Sequence, residues 1–313
     1  MNKYFNPSNE EYKALCEKPY YVDKTYLISE FNNVKYSDDE KVSAFLPIGF
    51  GKTSILDMVT AFYSKGCDSR ALFENKKIAE TPNWDEHLNK YDVFRINMKE
   101  VINSLGNDYL TRKLDNIFES ALKNKYPEIE NSRYFFDGIT LREIYKKTGD
   151  KFIIIIDDYH CVYLKKDCQK YIESYDTFLN YLVGYYSIFV EKCFVFGVIE
   201  GIHDDLEIRC HMRNIDLREG LYFNGAVGFK EAEVKELCQK FNMDFNKIED
   251  FFGAYQVGKD KFNKVYNANS IVTLIRDFNC DLDLYKNKDF LDNSLKKLLL
   301  LIMMFMKKII QVF

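Results

Sequence analysis

The sequence carries no surplus of positive charge: 44 lysines and arginines stand against 48 aspartates and glutamates, a formal net charge of −4. Without a basic field little holds a nucleic-acid backbone, so a nucleic-acid partner is not indicated. No apolar run approaches the ~20 residues of a bilayer-spanning helix. The longest, Leu298 to Met306, has 9. The opening stretch, MNKYFNPSNEEYK, lacks the apolar segment of a secretory signal. None of the eight cysteines forms a C-x-x-C pair, and their spacing is irregular, so zinc-site spacing is absent. Several, Cys193 and Cys238 among them, lie in apolar runs and are expected as buried free thiols of a reducing compartment. His203 and His211 flank Cys210 in GIHDDLEIRCH, which reads as a solvated loop. No Ser/His/Asp nucleophile arrangement is legible, and there is no internal repeat or Pro/Gly/Ser-rich linker. The expectation is a soluble, intracellular, cytoplasmic protein without a transmembrane segment.

What is present is an ordinary globular share of apolar residues, 47%, with an aromatic fraction of 16% that predicts an aromatic-rich core. Short apolar runs alternate with helical patterns, which points to α/β architecture. Strands are expected at Val42–Leu46, Tyr91–Asn97, Phe152–Asp157 and Cys193–Ile199, with a weaker one near Leu221–Phe223. Their nearly unbroken apolar character is that of a parallel sheet covered on both faces. Helices are expected over Thr53–Tyr63, Asp108–Lys125, Leu141–Lys147 and Gln169–Val190. Strand signals stop near residue 228. Phe229–Phe241, Phe245–Phe252 and Ala268–Asp277 then read as a small helical region. The expected division is 1–225 for the α/β domain, 226–285 for its helical extension and 286–313 for an apolar tail.

Two segments carry chemistry. In SAFLPIGFGKTSIL, Ser43 to Leu56, an apolar strand enters a turn with two glycines and then a helix. That is the context of a phosphate-binding loop, where backbone N–H groups and the positive end of a helix face phosphate. Gly49, Phe50, Gly51, Lys52, Thr53 and Ser54 are the candidate nucleotide contacts. Lys52 reaches the β- and γ-phosphates, and the Thr53 hydroxyl ligates Mg²⁺. The full G-x-x-x-x-G-K-[ST] pattern is incomplete, because Leu46 stands where the first glycine belongs. Alone, Gly-Lys-Thr also describes an exposed helix start with a solvated lysine. In KFIIIIDDYH, Lys151 to His160, four isoleucines end in two carboxylates. Asp157 is the candidate Mg²⁺ ligand and Asp158 the candidate catalytic, water-activating acid. The two segments together predict a P-loop three-layer αβα sandwich with a mostly parallel sheet.

From about Tyr4 to about Ile275 the chain resembles the predicted AAA-ATPase-like family of P-loop proteins. The resemblance rests on YYVDKTYLI (Tyr20–Ile28), on FGKTSILDMVTAFYSKGCDSRALFENKKI (Phe50–Ile78), and on IIIIDDYH against the family's D-E-[YW]-D strand. VFGVIEGI (Val195–Ile202), VGFKEAEVKEL (Val227–Leu237) and VYNANSIVTLI (Val265–Ile275) match further ordered elements. It implies Mg·ATP as cofactor. The chain departs from the family at three places. Leu46-Pro47-Ile48-Gly49 replaces R-P-R-R before the loop, Asp158 replaces a glutamate, and Phe196 replaces a threonine. Lys52, Thr53 and Asp157 remain, so the resemblance implies nucleotide binding with weak or absent hydrolysis. The alternative is a degenerate, non-enzymatic interaction module that keeps the fold.

The family often carries a further C-terminal nuclease-like domain, and the sequence shows no Asp…Glu-x-Lys constellation near its end to supply one. Its tail, with LLLLIMMFM between Lys296, Lys297 and Lys307, Lys308, is apolar without a polar face. Such a helix is normally buried or membrane-bound, and nine residues are too few to span a bilayer, so the tail either packs under the core or lies exposed and mediates self-association. Self-association through this tail, or an unknown protein partner, is the expectation.

Overall fold

The computed structural model describes residues 3–33, 41–106, 109–123, 125–127, 139–164, 169–183, 188–198, 213–216, 227–256 and 264–282. The fifth expected strand, the His203–His211 loop and the apolar tail lie outside the described residues.

Five strands form one sheet: β1 (Lys41–Phe45), β2 (Asp92–Asn97), β3 (Phe152–Asp157), β4 (Val190–Gly197) and β5 (Arg213–Asp216). Their order is β2-β3-β4-β1-β5, and every neighbouring pair is parallel. Side chains alternate across a strand, so an unbroken apolar run fills both faces. In β3, Ile153 and Ile155 enter one core with Val42, Ala44, Phe194 and Phe196, while Ile154 and Ile156 enter the other. The first core is covered by α1 (Glu10–Cys16), α2 (Tyr26–Asn32) and α3 (Lys52–Tyr63), through Tyr12, Ile28, Phe31, Leu56 and Phe62. A short α4 (Arg70–Phe73) adds Phe73 to it. The second is covered by α5 (Met98–Asn103), α6 (Leu110–Leu122), α7 (Ile139–Thr148), α8 (Cys161–Leu164) and α9 (Gln169–Val183), with Leu114, Phe118, Ile144, Tyr175 and Phe178 at its centre. This is the three-layer α/β arrangement with a parallel sheet. The described residues include no helix long and apolar enough to cross a membrane.

Two expected boundaries move. The helix expected to reach Val190 ends at Val183, and Val190 opens β4. Phe189 and Val190 suit either period, and a short apolar run cannot be assigned by periodicity alone. The fifth strand, Arg213–Asp216, reads RNID, too short and polar to stand out.

After the sheet comes a unit with its own core. It holds β6 (Phe229–Lys230), α10 (Glu231–Lys240), α11 (Phe245–Phe252), β7 (Tyr255–Gln256), β8 (Lys264–Tyr266) and α12 (Ala268–Asp277). The three helices fall where helical periodicity placed them, except that the first begins at Glu231, because Phe229 and Lys230 pair with β8 as a strand. The strands form a small antiparallel sheet, β6-β8-β7, that the sequence does not reveal, because two or three residues are too few to show alternation. Val234, Leu237, Ile248, Tyr266, Ile271 and Leu274 pack together beneath it.

Candidate functional site

The chain leaves β1 for α3 on one face of the sheet and leaves β3 for α8 and α9 on the other. Open parallel sheets bind ligands beyond the carboxyl ends of their strands where connections diverge in this way. Both chemistry-bearing segments lie there.

The loop between β1 and α3 begins at Leu46, whose buried N–H donates to Gly197 O at 3.2 Å. It turns on Gly49 (φ +89°) and Gly51 (φ +83°), left-handed conformations that favour glycine. Gly51 is the N-cap of α3, and Ile55 N–H donates to its carbonyl at 3.0 Å. Among the described residues, none accepts a hydrogen bond from the backbone N–H of Gly49, Phe50, Gly51, Lys52, Thr53 or Ser54. Six consecutive donors at the positive end of a helix form a site suited to an anion.

Lys52 opens α3, and its Nζ donates back to Leu46 O (3.0 Å) and Pro47 O (3.2 Å), so its side chain spans the loop from last residue to first. Burial lowers its pKa from the ordinary lysine value, and Asp157 and Asp158 oppose that shift. Thr53 Oγ1 donates to Asp157 Oδ2 at 3.2 Å, which brings the two candidate metal ligands together from α3 and β3. Asp157 is fully buried, and its other carboxylate oxygen accepts from Asp158 N–H at 2.9 Å. Burial raises its pKa, with Arg95 opposing and Asp158 adding. Asp158 holds a left-handed φ of +52°, and Asn97 Nδ2 approaches its Oδ2 at 3.4 Å.

The loop's two apolar side chains leave the turn. Ile48 is 57% exposed, while Phe50 is buried against Val265 and meets the Tyr255 ring at 5.1 Å. Phe196, at the position where the resemblance calls for threonine, is buried in the core beneath α3.

Sequence reasoning missed several neighbours. Arg95 of β2 pairs with Asp57 Oδ1 at 3.0 Å, lies 3.6 Å from Asp157 Oδ2, and donates to Thr60 Oγ1 at 3.3 Å. The signal was present: Thr53, Asp57 and Thr60 recur at i, i+4 and i+7 on α3, one helix face, and Arg95 is the one ionisable residue within VFRI. His160 is buried, its Nδ1 has no partner among the described residues, and burial pulls its pKa down to about 4. Nothing in the spacing of KFIIIIDDYH marks it.

Thr53 and Asp157 supply the oxygen donors that a hard divalent cation takes. Among the described residues, at this site as elsewhere, no group of three His, Cys, Asp or Glu side chains is placed to hold a metal. The six described cysteines are free thiols, with Cys193 and Cys238 buried as expected.

No curated protein matches the sequence. A solved structure of S. cerevisiae Hsp104 in complex with casein, in an extended conformation, is similar at a TM-score of 0.42 and 11% identity. That match covers 92% of this chain and 42% of the other, so the chain spans less than half of that neighbour, and so distant a likeness carries no argument. The family model described as predicted AAA-ATPase matches residues 9–206, close to two thirds of the sequence and all of the phosphate-loop and acid-strand segments. The chain belongs to the predicted AAA-ATPase family.

Proposed function

We propose that the chain binds Mg·ATP at the loop from Gly49 to Ser54 and hydrolyses it slowly or not at all. The observation that carries this reading is the run of six N–H groups, from Gly49 through the first turn of α3, that have no acceptor among the described residues, beside Lys52 and the Thr53–Asp157 pair. The N–H groups receive the phosphates, and Lys52 exchanges its two carbonyl acceptors for phosphate oxygens. Thr53 and Asp157 hold Mg²⁺, which neutralises phosphate charge when bound. Asp158 is the residue left to position water. Its carboxylate is one methylene shorter than the glutamate that the family resemblance implies, and buried Phe196 offers no polar group nearby. Both features favour slow turnover.

A degenerate interaction module is the rival reading. The altered loop, Asp158 and Phe196 favour it, and Ile48 or Phe50 filling the loop would favour it further, but Ile48 is exposed and Phe50 packs against Val265 and Tyr255. A protein partner, or self-association through residues 286–313, is proposed from the sequence alone, as is a cytoplasmic location.

Isothermal titration with Mg·ATP and Mg·ADP tests the binding reading. Folded protein that takes up no nucleotide at millimolar concentration overturns it. Steady-state phosphate release compared between the parent and Lys52→Ala separates enzyme from module, since a rate indifferent to the substitution is not this site's.

A further inference from the structure

Three successive carbonyls of the loop are held by the C-terminal unit. Ile48 O accepts from Asn267 Nδ2 at 2.9 Å, Gly49 O from Asn269 N–H at 2.9 Å, and Phe50 O from Gly228 N–H at 3.0 Å. In a trans peptide the carbonyl of one residue and the N–H of the next point in opposite directions. No peptide bond here is cis. Carbonyls 48, 49 and 50 therefore face the C-terminal unit, and the N–H groups of Gly49, Phe50 and Gly51 face away from it, toward the side where a phosphate would be held.

The holding residues are themselves fixed. Asn267 is the N-cap of α12, and its Oδ1 accepts from Ser270 N–H at 3.1 Å, which aims its Nδ2 at the loop. Asn269 lies in the first turn of α12, where N–H groups have no helical acceptor, and it donates instead to Gly49. Gly49 has no room for a side chain, because a Cβ there collides with the Asn267 amide. The Phe50 ring, buried against Val265 and Tyr255, anchors the loop's middle in the same unit.

We infer that the C-terminal unit is a latch on the phosphate-binding loop, with Asn267 as its positioning residue, so that nucleotide occupancy and docking of this unit favour one another. The inference rests on the reading that the loop takes nucleotide phosphates, and it adds a coupling partner that touches no nucleotide itself. Coupling of this kind is reciprocal: if latching tightens nucleotide binding, nucleotide tightens the latch by the same factor.

Asn267→Ser isolates the effect. Serine caps a helix about as well as asparagine, so the start of α12 is kept, but its hydroxyl does not reach the loop as the amide does. Full-length protein and the variant are compared by urea unfolding without ligand and by titration with Mg·ADP. The expected result is a small loss in unfolding stability, no more than one hydrogen bond supplies, together with a loss in affinity for Mg·ADP of about three- to tenfold. Hydrogen exchange on the unaltered protein gives a second readout: saturating Mg·ADP should slow the Gly228 and Asn269 amides by about fivefold or more beyond the slowing of amides in β3. Parent protein that binds Mg·ADP, with an equally tight Asn267→Ser variant and with those two amides slowed no more than β3, overturns the latch alone. Parent protein that does not bind Mg·ADP overturns the site and the latch together.

Discussion

Arg95 serves two carboxylates at once, and that sharing has a pH signature. Burial pushes Asp57 up to about 6 from an ordinary 3.8, against the pull of Arg95 and with help from Asp157. The folded chain thus holds the Asp57 proton more tightly than the unfolded chain does. That contribution is fully present below 3.8 and lost as pH rises through about 6. Asp57→Asn should flatten the fall in stability over this window, read by urea unfolding at a series of pH values. Asp157 is displaced in the same direction and leaves a residual slope. A variant as steep as the parent would remove Asp57 from the account. At Asp158 the expectation concerns rate: if the short carboxylate limits hydrolysis, Asp158→Glu raises phosphate release by on the order of 10²-fold. No change would place the defect at Phe196 or in the loop. Lys52, Thr53 and Asp157 could be picked out of the sequence because each sits at a fixed step from a glycine turn or a strand end. Arg95 and Asp57 carry a signal too, a lone charge in an apolar strand and a repeat on one helix face, but its meaning depends on β2 lying beside β3 and on the face α3 turns inward.

The phosphate-loop turn contains two left-handed glycines with different surroundings, and substituting each separates backbone strain from contact. At Gly51 a Cβ meets open space, so alanine costs only the left-handed conformation, about 1–2 kcal/mol. At Gly49 the same backbone cost is joined by collision with Asn267. Gly49→Ala should therefore be the more destabilising by at least ~1 kcal/mol in urea unfolding and lose more affinity for Mg·ADP. Equal losses from the two variants would mean that the Asn267 contact yields without cost. The elements flanking this turn were legible because an apolar strand and a 3.6-residue period are each long enough to count. The three strands of the C-terminal unit were not, since Tyr255–Gln256 and Phe229–Lys230 are defined by their partner Lys264–Tyr266 rather than by their own pattern.

At the scale of the molecule, the segment before α2 and the C-terminal unit meet at a buried ion pair as well as through apolar packing. Lys24 Nζ donates to both oxygens of Glu233, at 2.9 and 2.6 Å, with each side chain 11% exposed. Glu233 Oε2 also accepts from Lys230 N–H at 2.7 Å, at the start of α10. Burial pulls Lys24 down to about 8, against the attraction of Glu233, so the fold keeps this charge at a cost that the carboxylate offsets. Removing one partner leaves the other buried and uncompensated, typically a loss of about 3–5 kcal/mol, whereas replacing both with neutral groups is often close to neutral. Glu233→Gln retains an acceptor for Lys230 N–H while discharging the pair. It should destabilise the chain by the full single-partner amount. Adding Lys24→Met should recover most of that loss. A double-mutant cycle by urea unfolding reads the coupling directly. Single variants that each cost little, with losses that simply add in the double, would mean that these two segments are held by packing around Tyr20 and Val22 against the C-terminal core, with the ion pair adding nothing of its own.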